Sequence, residues 1–327
     1  QLEDMDDGGR AAYNRARMVH LSGGILISTP QLLTAQKMLA SSFAVNSGRN
    51  SGHAGLMISG TSTVGKTTTT KALMRWTFEK YRTQFPDFSR HGHMPVVYVE
   101  VPPASTAKLL MTAFADFFGL TIRRSETMDS IRRRVVAALK DAHTQLIVVD
   151  ELHNLASRNV GNGDSVDVLK SLHNDVAATF VYAGIDLLGG SLLAGARGQQ
   201  IAGRFAALEM RPFNTRTEED RLLWVKFLTA YENQLTLTDL EPNSIRSMHD
   251  YLYRRTGGSI GSLTRLLSSA AIEAITNPAL PETITEALLE SITIDHTAEA
   301  RRRTEAFRPI IRRSSTVRTP AGDSEFS

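Results

Sequence analysis

One short run constrains this chain more than any other. Gly60, Thr61, Ser62, Thr63, Val64, Gly65, Lys66 and Thr67 match G-x-x-x-x-G-K-[ST] in full. An apolar stretch, 56–59, precedes the run, and a helical pattern with Leu73, Trp76 and Lys80 on one side follows it over 67–80. A strand, a tight glycine turn and a new helix form a phosphate loop. The glycines let successive backbone N–H groups point inward, and the helix N-terminus adds positive potential. Lys66 is then placed to neutralise β- and γ-phosphate charge. The Thr67 hydroxyl is placed to meet Mg²⁺, and Thr68 continues the turn. Thr63 stands where many phosphate-loop ATPases have a further glycine.

The rest of the chain supports a parallel α/β sheet. Apolar runs at 96–101, 146–149, 179–183 and 207–210 alternate with helical patterns at 109–117 and 131–139. The 146–149 run is apolar throughout, as in a strand buried on both faces. It ends at Asp150 and Glu151. A carboxylate at the end of a central strand lies at the ligand-binding edge of such a sheet. Asp150 is therefore the Walker B acid that holds Mg²⁺, and Glu151 is the candidate base for the attacking water.

After Pro212 the pattern becomes wholly helical, at 218–231, 243–255, 261–275 and 283–291. The reading divides the chain into an arm and linker (1–50), an α/β nucleotide domain (51–213), a helical lid (214–296) and a basic tail, read as disordered (297–327). Within the arm, Thr29-Pro30 marks a helix start.

Composition excludes several classes. The 327 residues contain no cysteine, which removes disulfides, thiolate zinc sites and cysteine nucleophiles. No apolar run approaches the ~20 residues of a membrane helix. The polar start, 1–10, has no signal-peptide pattern, so a cytoplasmic protein is expected, nucleoid-associated when on DNA. The net charge is only +3, yet the basic residues cluster. Arg123 and Arg124, then Arg132 to Arg134, form two groups, and seven Arg lie between 301 and 318. His91 and His93 form an H-x-H pair without an evident third metal ligand. Asp150-Glu151-Leu152-His153 matches a helicase box in four letters, with no accompanying helicase arginine motif.

These residues together resemble the AAA+ ATPases, and within them the TniB/TnsC group of DNA-transposition regulators. The resemblance runs over about 20–290, through the phosphate loop, Asp150 to Asn154, Arg204-Phe205 and Gly257 to Gly261. Thr29-Pro30 and the 102–108 stretch fit the same group. It implies an AAA+ sheet with a helical lid, using ATP and Mg²⁺. It also implies homo-oligomers, as rings or filaments, with ATP at subunit interfaces. Arg204 takes the arginine-finger position, with Arg197 second. The resemblance further implies sequence-tolerant binding of duplex DNA through Lys108, Arg123, Arg124 and Thr127, and recruitment of a transposase. Sensor 1 falls in 182–186, where Ile185 lacks a hydroxyl. Counting three positions from Gly258 gives Gly261, so the usual sensor 2 arginine is missing, with Arg265 one helical turn later. The competing reading is a nucleotide-gated protein-interaction switch that does not bind DNA.

Overall fold

The computed structural model describes residues 6–49, 51–155, 162–189 and 202–306, without the side chains of 162–165 and 303–306. Arg197 and the arginines beyond 306 lie outside these residues.

Five parallel strands form one sheet in the order β2-β3-β4-β1-β5. They are β1 (Gly55–Gly60), β2 (Val96–Glu100), β3 (Leu146–Asp150), β4 (Thr179–Gly184) and β5 (Phe205–Met210). The middle strands β3 and β4 are buried along their whole length, and β1 along all but its last residue. The edge strands β2 and β5 alternate or open to solvent. Side chains alternate across the pleat, so each strand feeds two cores. Leu56, Ile58, Val148 and Val181 face one side, where they meet α2 (Pro30–Asn46) and α3 (Lys66–Gln84) through Leu39 and Leu73. Met57, Ile147, Val149 and Tyr182 face the other. There α4 (Ala107–Phe117), α5 (Met128–Asp141) and α6 (Asn162–Asp175) supply Phe114, Val135 and Leu172. Truncating one of these fully buried leucines to alanine costs about 2–5 kcal/mol.

Threonines start many of the helices. Thr29 caps α2 by accepting from the Leu32 amide (3.1 Å). Thr106 and Thr127 cap α4 and α5 in the same way.

The lid has its own core, built on Trp224, Leu252, Leu263 and Leu267. Its helices include Glu218–Glu232, His249–Thr256 and Ile260–Thr276. Two features depart from the sequence pattern. Part of the arm belongs to the lid: α1 (Asp7–Val19) carries Arg17, which is buried and paired with Glu282 at 2.7 Å, while Leu21 joins the lid core. The stretch expected as tail begins with a helix, His296–Ala306. Asp295 heads that helix, Ala298 is buried, and Glu299 pairs with the buried Arg255 at 2.8 Å. Its order comes from partners distant in sequence, which periodicity does not register. Among the described residues no helix is long and apolar enough to cross a membrane.

Candidate functional site

The phosphate loop joins β1 to α3 at the C-terminal edge of the sheet. Gly65 takes φ 93°, a left-handed conformation that favours glycine, and starts the helix. The chain then places Lys66 with its ammonium against two loop carbonyls, Gly60 O at 3.0 Å and Thr61 O at 2.8 Å. Burial draws the Lys66 ammonium below the ordinary lysine range, and the Glu151 and Asp150 carboxylates act in the opposite direction. All three charges therefore share one neighbourhood.

Asp150, 1% exposed, ends β3. Its Oδ2 accepts from the Thr67 hydroxyl at 3.0 Å and from the Tyr98 phenol at 3.2 Å. Its Oδ1 accepts from the Glu151 amide at 2.9 Å. A carboxylate and a hydroxyl oxygen side by side suit Mg²⁺, which takes oxygen donors and retains several waters. Thr67 and Asp150 are the residues that would hold it. Tyr98, on the neighbouring strand β2, is a participant that motif reading misses. Burial, followed by the Asp150 and Glu100 charges, raises its pKa, so the phenol remains a donor.

Glu151 sits at φ 55°, a left-handed conformation costing of the order of 1–3 kcal/mol for a non-glycine residue. The conformation turns the chain sharply at the strand end. The Glu151 carboxylate lies 3.3 Å from His153 Nδ1. That nitrogen also accepts the Ile185 amide at 3.2 Å, so it cannot at the same time donate to Glu151. The 182–186 segment meets this neighbourhood through the Ile185 backbone N–H and His153. Asn154 fastens the exit of β2, donating to Val101 O at 3.0 Å.

Beside the loop lies a cleft of about 730 Å³, walled by the 21–27 segment, Gly65 and Thr68 of the loop helix, and Gly261, Thr264 and Arg265 of the lid. Arg265 therefore stands on the face of the lid that lines the cleft beside the phosphate loop. Periodicity alone leaves that undetermined.

Arg204 lies elsewhere. It immediately precedes β5, and β5 pairs with β1 from Phe205 opposite Gly55 to Met210 opposite Gly60. Five strand residues, about 16 Å, separate its end of the sheet from the phosphate loop. It is exposed, and its guanidinium donates to Asn174 Oδ1 at 3.2 Å. It cannot reach the phosphate loop of its own chain.

The basic groups differ in their freedom. Arg132 pairs with Asp129 and Asp175, Arg133 with Asp129 and Arg134 with Glu126. Arg123 and Arg124 are exposed on the turn between α4 and α5. Lys108 donates to Arg124 O at 3.3 Å, which draws it to the same turn. The Thr127 hydroxyl is committed to its helix cap. The His143 and His93 rings lie 4.2 Å apart, tilted by 36°, yet among the described residues no group of three or more His, Asp or Glu is arranged to hold a metal ion.

Known proteins resemble the chain in family and in fold. The family model of the bacterial TniB protein matches residues 17–215. No curated protein matches the chain. Among solved structures, the Aeropyrum pernix ORC1 protein in complex with DNA superposes with a TM-score of 0.61 at 18% identity, over 87% of this chain and 68% of that one. The Aeropyrum pernix ORC2 protein, in its ADPNP-ADP complexes, gives 0.56 at 16% identity, over 83% and 68%. Cdc6p from Pyrobaculum aerophilum gives 0.54 at 14%, over 84% and 74%. At these identities the likeness is one of fold, an AAA+ sheet followed by a helical domain. The family match takes in more than half of the chain and the fold agrees with it; the chain belongs to the TniB family and has the AAA+ fold.

Proposed function

We propose that this chain hydrolyses ATP as an assembly switch on DNA, oligomerising on the duplex and recruiting or activating a transposase at the target site. The observation that carries the reading is the division of catalytic groups between opposite edges of one sheet. Lys66, Thr67, Asp150 and Glu151 meet at one edge, while Arg204 is exposed at the other. A finger so placed serves a neighbouring protomer. The loop amides and Lys66 bind the phosphates, and the cleft between arm and lid takes the base and ribose. Glu151 orients the water and accepts its proton. Thr67 and Asp150 would hold Mg²⁺, which would supply charge neutralisation of the phosphates. Arg204 of the adjoining copy stabilises charge on the γ-phosphoryl group, so turnover and assembly depend on each other.

The DNA surface in this reading is the α4–α5 turn, with Lys108, Arg123 and Arg124. The Aeropyrum ORC1 structure, solved in complex with DNA, supports a nucleic-acid role for the shared architecture. Phosphate contacts from so few cations make binding tolerant of sequence and weaker as salt rises. The reading places the protein in the cytoplasm, on the nucleoid when DNA-bound. Mobility shift of a duplex with ATP, with ADP and without nucleotide tests it. ATP-dependent binding is expected, and equal binding in all three conditions defeats the switch.

One observation favours the alternative, a nucleotide-gated protein switch that does not touch DNA. The acids at 126, 129 and 175 neutralise Arg132 to Arg134 within the chain. Reversing the charges of Arg123 and Arg124 separates the readings. Loss of duplex binding supports the first, and unchanged function supports the second.

A further inference from the structure

The phosphate loop is bonded to the lid as well as to its own domain. Thr63, in the middle of the loop, takes φ 64°. A β-branched residue is a genuine outlier there. Three contacts from the lid hold it. The Gly261 amide donates to Thr63 O at 2.7 Å, and the Ser259 hydroxyl lies 3.0 Å from Thr63 O and 2.8 Å from Thr63 Oγ1. The approach is close enough to require glycine at 261, where a Cβ would stand 2.8 Å from that carbonyl.

Proton counting gives the seam a direction. Thr63 Oγ1 donates to Ser62 O at 2.6 Å, so toward Ser259 it accepts. Ser259 Oγ accepts the Ser262 amide at 3.4 Å as the helix cap. The Ser262 hydroxyl donates to Asp295 Oδ2 at 2.6 Å, and Asp295 Oδ1 accepts the Ala298 amide at 3.0 Å. The route thus runs from the phosphate loop, through two buried serines, to the first turn of the His296–Ala306 helix. The Ser259 and Ser262 hydroxyls are buried, so a partner lost there is replaced by water less readily than at the exposed Thr63.

We propose that Ser259 is a positioning residue of the phosphate loop, and that through Ser262 and Asp295 it makes the loop and the C-terminal helix adopt one common setting. This rests on the loop binding ATP. The helix leads into the arginine-rich stretch, so nucleotide occupancy reaches the basic C-terminal segment through the lid. A loop glycine at position 63 would lack the hydroxyl that receives Ser259.

The test is a double-mutant cycle on the full chain, read by titration with a fluorescent ATP analogue. Ser259→Ala and Thr63→Val should each weaken binding up to about tenfold, the range of one part-buried hydrogen bond. The double variant should be no weaker than the worse single one. Thr63→Ser keeps the hydroxyl and should stay within about twofold of wild type. Each variant's thermal midpoint separates positioning from general loss of fold. Hydrogen exchange supplies a readout that packing alone does not move. ATP should change protection of the 296–302 amides in the wild type and not in Ser259→Ala. Multiplicative losses in the double variant, or an exchange response that survives in Ser259→Ala, overturn the proposal while the ATP reading stands. A wild-type chain that does not bind the analogue overturns both.

Discussion

The Thr67 hydroxyl donates to Asp150 Oδ2 across 3.0 Å, joining the first turn of α3 to the end of β3. The Tyr98 phenol reaches the same oxygen from β2. Removing that phenol leaves the carboxylate freer to rotate and changes its charge distribution. Tyr98→Phe is expected to raise the Mg²⁺ concentration needed for half-maximal ATPase several-fold, with maximal turnover restored at saturating Mg²⁺. A Mg²⁺ titration of turnover decides this. An unchanged midpoint would show that Tyr98 only fills space.

In the proposed mechanism Glu151 takes a proton from water; its backbone is left-handed and its amide donates to Asp150 Oδ1. Glu151→Gln keeps shape and removes basicity. Hydrolysis should fall about 10²–10⁴-fold, while ATP affinity remains within a few-fold and oligomers persist. Lys66→Ala should do the reverse and abolish binding. Nucleotide titration beside single-turnover hydrolysis distinguishes the two, and wild-type turnover in Glu151→Gln removes it from the mechanism.

His173 provides a pH dependence. It is buried between Phe180 and Phe205, with Nε2 donating to His53 O at 2.6 Å. Burial, against that backbone hydrogen bond, lowers its pKa to about 4 from 6.5. The unfolded chain takes up the proton first as pH falls. The stability due to the neutral ring is therefore complete above pH ~6.5 and lost progressively toward pH ~4. Between pH 7.5 and pH 5 the loss from this group should be about 2 kcal/mol. Urea unfolding at both pH values measures it. His173→Leu should be less stable at pH 7.5 yet show a smaller drop on acidification. An equal drop assigns the acid sensitivity to other groups.

Much of the α/β unit is legible in the sequence because its central strands are continuous apolar runs and its phosphate loop has fixed spacing. Asp150 is legible for the same reason, standing where the 146–149 run stops. What escapes is everything set by distant partners. α6 carries Gly163 and five scattered carboxylates or amides among its apolar residues, so its pattern is weak; burial against α4 and α5 forms it. The 296–306 helix is polar and arginine-rich, and Arg255 and Ser262 hold it from the lid. Tyr98 and Asp150 are 52 positions apart and Thr63 and Ser259 are 196 apart. Arg265 acquires meaning only when the lid folds over the loop. A motif reports what lies within one turn, whereas the electrostatic environment of a site is assembled by the fold.

Arg204 and Gly60 lie at opposite ends of the β1–β5 ladder, so the finger reading makes a demand that a single-chain role does not. Arg204→Ala should bind ATP normally and hydrolyse it about 10³-fold more slowly. Glu151→Gln should also bind ATP and be inactive, for a different reason. A site in the first variant has its own Glu151 and lacks only a neighbour's guanidinium, which the second variant still carries. In an equal mixture that assembles head to tail at random, about a quarter of the interfaces combine an intact Glu151 with an intact Arg204. Turnover should therefore reappear at about a quarter of the wild-type rate, and should vanish on dilution below the assembly concentration. A mixture as inactive as its components would show that Arg204 serves its own chain through a rearrangement or serves only the Asn174 contact.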